Sequence, residues 1–186
     1  MIRKCQTDDT EQVYFVINEA SQAYERVIPT DCYHQPYMSM DELEQEMKRL
    51  PFFGWEINGK LVGLTGLELI RDVTLIRHAY VLTQWQRKGI GTRLLNHLKA
   101  LVTTPRLLVG TWAAAYWAIN FYQKQGFSFL PNTDELLRTY WDIPQRQIET
   151  SIVLGISDLP LKKESCCNVN LEGYKSGTNI QKEPRT

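Results

Sequence analysis

Residues 85–95 read Trp85-Gln86-Arg87-Lys88-Gly89-Ile90-Gly91-Thr92-Arg93-Leu94-Leu95, WQRKGIGTRLL. Before them, Val73 to Leu82 is strongly β-prone. After them, Leu94, Leu95, Leu98, Leu101 and Val102 recur on one face of a helix. The stretch is therefore a strand-to-helix turn with two close glycines. Glycine adopts positive φ and lets a ligand approach the main chain. The first-turn amides of a helix have no intrahelical partner and carry the positive end of its dipole, so they suit a phosphate. Arg87 and Lys88 add local positive charge. An ordinary strand-to-helix turn uses the same residue types, so the spacing has to be compared with known phosphate loops. The Walker loop, GxxxxGK[ST], is absent. The dinucleotide fingerprint GxGxxG fails at Leu94, and where it needs an acidic residue the chain reads Leu108-Val109-Gly110-Thr111-Trp112.

The chain has 186 residues, with 21 basic and 21 acidic side chains. That balance gives no global electrostatic reason to expect nucleic acid or an anionic membrane, so any anion site is local. No apolar run is long enough to span a bilayer. The start, MIRKCQTDD, turns acidic where a signal peptide needs an apolar core, and a cytoplasmic protein is the expectation. Cys5, Cys32, Cys166 and Cys167 fit neither a zinc site nor a disulfide framework, so reduced thiols and no metal are expected.

Residues 1–156 read as one domain. Residues 157–186 are polar and aperiodic, and are expected to form a flexible tail because they bury too little apolar surface to offset ordering. Met1 to Gln6 predicts a strand. Thr7-Asp8-Asp9 caps a helix from Glu11 to Glu25. A loop runs to Pro36, and Ser39 or Asp41 starts a second helix through Leu50. Phe52 to Ile57, Asn58-Gly59 and Lys60 to Ile70 spell a hairpin, since Asn-Gly favours a tight turn with two positive φ values. After Arg71-Asp72 come the strand to Leu82 and a helix from Gly91 to Leu101. A strand from Leu107 to Trp112 and a helix from Ala113 to Gln125, ended by Gly126, follow. Phe127 to Leu130 is strand-like, Asp134 to Trp141 a short helix, and Glu149 to Ile156 a last strand. This order predicts an α/β (α+β) domain around one mixed, mostly antiparallel, twisted sheet flanked by helices.

Gln86-x-x-Gly89-x-Gly91 matches the Q/R-x-x-G-x-G/A signature of the GNAT (GCN5-related) N-acetyltransferases, and YVLTQWQRKGIGTRLLNHL resembles their acetyl-CoA strand, loop and helix. Ala118-Ile119-Asn120-Phe121-Tyr122 through Gly126-Phe127 resembles the family's A-i-x-F-Y-x-x-x-G-F segment. The resemblance covers residues 1–156. It implies a strand splayed at a bulge, with Tyr80, Val81 and Leu82 pairing with the pantetheine arm. It also implies a pyrophosphate held by Gln86, Arg87, Lys88, Gly89, Ile90, Gly91 and Thr92. The N–H of Leu82 would stabilise the oxyanion, and Tyr122 would protonate the departing thiolate. The asparagine that family members often carry seven residues before the tyrosine is Ala115 here, and Asn120 does not replace it.

An amine acceptor needs a base. Glu68 and His78 are the candidates, each also readable as a plain sheet residue, and strand alternation places Arg77 opposite His78. Tyr24, Tyr33, His34, Tyr37 and Trp55 are candidates for contacting the acceptor, and residues 138–144 read as a lid, an interface or simple surface cover. The resemblance implies an acetyl-CoA-dependent N-acetyltransferase working by direct transfer in a ternary complex, with a homodimer allowed. A catalytically silent acyl-CoA-binding regulator and a cofactor-free structural partner remain the alternatives.

Overall fold

The computed structural model describes residues 1–157; the expected tail, with Cys166 and Cys167, lies outside the described residues from 158 onward. The sequence folds into a seven-stranded open sheet in the order β1-β2-β3-β4-β5-β7-β6. The strands are β1 (Ile2–Lys4), β2 (Phe52–Ile57), β3 (Lys60–Ile70), β4 (Val73–Val81), β5 (Arg106–Trp112), β6 (Ser128–Phe129) and β7 (Ser151–Ile156). The pair β4–β5 is parallel; the other neighbours are antiparallel. The helices are α1 (Thr10–Ser21), α2 (Met40–Arg49), α3 (Ile90–Leu101), α4 (Tyr116–Lys124), α5 (Thr133–Tyr140) and α6 (Gln145–Glu149).

Local signals explain most boundaries. Asn58 and Gly59 take φ of 51° and 75°, the paired positive values that a two-residue hairpin turn requires. Ser39 caps α2: its hydroxyl accepts from the N–H of Glu42, and the Glu42 carboxylate accepts from the N–H of Ser39 at 2.8 Å. Two helix boundaries and one short helix differ most from expectation. The first helix stops at Ser21 and tightens into a 3₁₀ turn over Gln22–Tyr24. The helix expected from Ala113 starts at Tyr116, because the Ala113 N–H bonds the Thr150 carbonyl and the Ala115 N–H bonds that of Trp112. Helix α6, behind Pro144, carried too short a pattern to be read.

Alternation along β5 organises the core around the site. Leu107 and Val109 pack with Leu95 and Leu98 of α3 and with Ile119 and Tyr122 of α4. Leu108 faces the other way, with Leu137 of α5 and Ile148 of α6. A further cluster joins Val13, Val16 and Ile17 of α1 to Leu43, Leu61, Leu64, Ile90 and Leu94. The ends of α3 and α4 are thus held against the middle of the sheet by buried side chains.

Candidate active site

The site begins with a bulge. Leu64 faces Tyr80 and Gly66 faces Arg77, so Thr65 alone opposes both His78 and Ala79. His78 takes a left-handed φ of 53° to absorb the extra residue. The bulge has two effects. It ends the pairing of β4 with β5, which runs only from Val73↔Arg106 to Ile76↔Val109. It also breaks the alternation expected at Arg77 and His78, so both side chains reach Glu46 on α2.

Beyond Ile76 the two strands part, and a cleft of about 620 Å³ lies against the freed stretch of β4. Its walls hold Ala79, Tyr80 and Val81 of β4, Gln86, Arg87 and Gly89 of the loop, and Ile90, Gly91 and Thr92 of α3. Phe121 and Tyr122 of α4 complete it. The loop conformation depends on Gly89, which sits at φ 78° just before the first turn of α3. Gln86 ties the loop back to the strand, its Nε2 donating to the Val81 carbonyl at 3.1 Å.

Leu82 requires a correction. Its N–H donates to the Val62 carbonyl at 3.0 Å, so it serves the β3 ladder and does not face the cleft. In an antiparallel ladder the next residue turns the other way. Val81, opposite Gly63, therefore directs its N–H to the open edge.

Lys88 is also absent from the cleft wall; its ammonium lies over the Trp85 ring at 4.4 Å. The two candidate bases stand elsewhere. His78 Nε2 contacts Glu46 Oε2 at 2.8 Å and its ring stacks on Phe52, while Glu68 pairs with Arg49 and lies 3.4 Å from Arg77. Burial pushes the His78 pKa down. Burial raises that of Glu46, but hydrogen bonds from His78 and Arg49 outweigh it and hold the carboxyl at about 2. This cluster joins α2 to the sheet, and neither Glu68 nor His78 lines the cleft.

Tyr122 is 6% exposed and borders the cleft, with Phe121 and Phe127 edge-on at 5.1 and 5.4 Å. Burial drives its phenol well above the usual tyrosine value, so it is protonated at neutral pH. Ala115 is packed among Ile28, Trp112 and Ala118 and offers no polar contact. Thr65 was not singled out by its sequence. It is 2% exposed, lines the cleft beside the bulge, and its Oγ1 has no hydrogen-bond partner. Nothing in the spacing marks it; the bulge makes it an orphan.

A second cavity, of about 110 Å³, lies beside the first and shares Tyr24 and Tyr80 with it. Of the five aromatic candidates, Tyr24 and Tyr37 line this cavity. Tyr33 and His34 flank Tyr37 at 6.5 and 6.4 Å, and Trp55 lies under Arg93 at 5.1 Å. From the segment expected to be a lid or a cover, Trp141 and Ile143 form wall. Tyr140 anchors it, accepting from Arg106 at 2.7 Å and donating to Asp72 at 2.9 Å.

A model of the acetyltransferase (GNAT) family matches residues 13–127, which span the bulged strand, the glycine loop and the Tyr122 segment. The chain belongs to the GNAT acetyltransferase family. Solved GNAT structures share its fold. PaiA N-acetyltransferase from Thermoplasma acidophilum, in complex with coenzyme A, is 18% identical, with 84% of this chain and 98% of that one covered at a TM-score of 0.67. The ribosomal-protein-S18-alanine N-acetyltransferase from Escherichia coli is 19% identical over 92% and 97%, at 0.62. N-acetylglutamate synthase from Neisseria gonorrhoeae, complexed with coenzyme A and N-acetyl-glutamate, is 20% identical over 86% of this chain and 35% of that one, at 0.59. No curated protein sequence matches this GNAT chain. Among its described residues, no helix is long and apolar enough to cross a membrane.

Proposed function

We propose that this GNAT chain is an acetyl-CoA-dependent N-acetyltransferase that holds acetyl-CoA and a primary amine in one ternary complex and transfers the acetyl group directly. One observation carries this reading. The unpaired edge of β4, the N-terminal amides of α3 and the Tyr122 side chain border a single cleft.

The residues present fit the cofactor. The cleft has ordinary ligand-pocket size. Gly89 gives the loop its left-handed turn at the start of α3. Bound acetyl-CoA supplies an activated thioester. The amides of 89–92, with Arg87 alongside, hold the pyrophosphate at the positive end of α3. Ala79, Tyr80 and Val81 present main chain to the pantetheine arm. Val81, in place of Leu82, offers its N–H to the acyl oxygen. Tyr122 donates a proton to the leaving sulfur. Most of the rate enhancement then comes from positioning and fixed dipoles.

The test is calorimetric titration with acetyl-CoA, followed by CoA release over a panel of amines. Binding together with amine-dependent release is expected. Absence of binding at millimolar acetyl-CoA overturns the reading. Binding without release on a broad panel leaves the silent regulator, the reading that Ala115 favours. Tyr122→Phe keeps the ring contacts and removes the acid, so kcat should fall about 100-fold with acetyl-CoA affinity retained.

A further inference from the structure

The smaller cavity has an unusual wall for an amine site. Tyr24, Tyr37, Tyr80, Thr111, Gln147 and Trp141 are among the residues that line it. No Asp, Glu, Lys, Arg or His lines it among the described residues. We infer that the acceptor is a primary amine borne on one small uncharged body, about a single ring in size, with no second ionised group. This rests on the acetyl-transfer reading above.

Position supports it first. Tyr24 and Tyr80 border both cavities, so a body lodged in the smaller one brings its amino group to the gap where β4 leaves β5. Transfer forms the N–C bond and breaks the C–S bond, and the proton lost by nitrogen balances the one gained by sulfur.

Charge supports it next. Arg146, next to Gln147, bonds Asp31 at 3.1 Å, while Asp142, between Trp141 and Ile143, is exposed and outside the lining. Burial pushes the Tyr24 phenol up to about 12, so that hydroxyl is neutral at physiological pH. A second ammonium, as in a polyamine, would be desolvated without a counter-ion, and so would the carboxylate of an amino acid. Burying either charge without a partner is unfavourable.

Size supports it last. An apolar cavity of about 150 Å³ takes a benzene ring. This cavity is about 110 Å³, so one ring or a short chain fits and a longer body does not. The aromatic walls reward a flat body, and the hydroxyls reward one neutral hydrogen-bonding group.

The experiment uses the full chain saturated with CoA, so that amine binding is read without turnover. Benzylamine, putrescine and glutamate are titrated in turn by calorimetry. Benzylamine is expected to bind, with putrescine and glutamate weaker by about tenfold or more. Gln147→Glu places a carboxylate in the wall with little change of shape. It should move the putrescine-to-benzylamine affinity ratio about tenfold toward putrescine. Equal or tighter binding of putrescine or glutamate to the unmodified chain, or no binding of benzylamine, overturns the inference. So does an unmoved ratio in the variant. Failure of CoA itself to bind marks the failure of the acetyl-transfer reading instead.

Discussion

The N–H of Leu82 donates to the carbonyl of Val62 at 3.0 Å, which turns the N–H of its neighbour Val81 toward the gap between β4 and β5. Two adjacent residues on one strand therefore do different work. Leu82 holds β4 to β3, and Val81 is left with a donor for a ligand.

Proline substitution separates them. Proline removes an N–H and is tolerated where that N–H is outside the ladder. Val81→Pro should keep the fold by circular dichroism and lower kcat about 100-fold, the usual effect of losing one oxyanion donor. Leu82→Pro should instead lower the melting temperature markedly. If Val81→Pro leaves kcat unchanged, Val81 is not the donor.

Thr65 makes an opposite-signed prediction. Its buried hydroxyl lacks a partner, and such a group costs about 1–3 kcal/mol. Thr65→Val keeps the shape and removes that cost. The protein should gain about 1 kcal/mol in denaturant unfolding. A variant that is less stable contradicts an unsatisfied hydroxyl at this position.

At Gly91 a Cβ would stand 3.5 Å from the Phe121 ring, on the cleft side of the first turn of α3. Aspartate there favours the helix dipole, by about 0.3–1 kcal/mol, but opposes a phosphate. Gly91→Asp should hold or raise the melting temperature and weaken CoA binding. Unchanged CoA affinity would refute the pyrophosphate position.

Stability should also depend on pH through the α2 cluster. The His78 pKa is lowered in the folded state from 6.5 by burial, so the unfolded chain takes up the proton first on acidification. Stability is then present above about 6.5 and is lost as pH falls through the lower folded value. Glu46, held at about 2 against an ordinary 4.5, adds a second loss as pH falls below 4.5. Melting temperature measured from pH 8 to 2 should fall in these two steps. His78→Gln should remove the upper step, and persistence of that step would assign it elsewhere.

Much of the fold was legible in the chain because its signals are local. Asn58-Gly59, the Ser39 cap, the glycine spacing after Gln86 and the leucine face of α3 each act through neighbours in sequence. The Tyr122 block was legible by resemblance, and the structure puts its side chain in the wall of the cleft. Helix α6 was not legible, being too short to show a period.

What the sequence by itself determined is the order of elements, the hairpin, and a loop suited to an anion at the start of α3. Only the tertiary structure decided what each candidate faces. One extra residue at His78 and Ala79 carries Arg77 and His78 together to Glu46, frees the β4 edge at Val81 and leaves Thr65 without a partner. A bulge changes the direction of every side chain and amide beyond it, and period-two reasoning has no means of seeing where it falls. The wall of the smaller cavity is likewise a tertiary product. Tyr24, Tyr80, Thr111 and Gln147 are far apart in sequence, and meet only because β4, β5 and the segment after α5 close around one point.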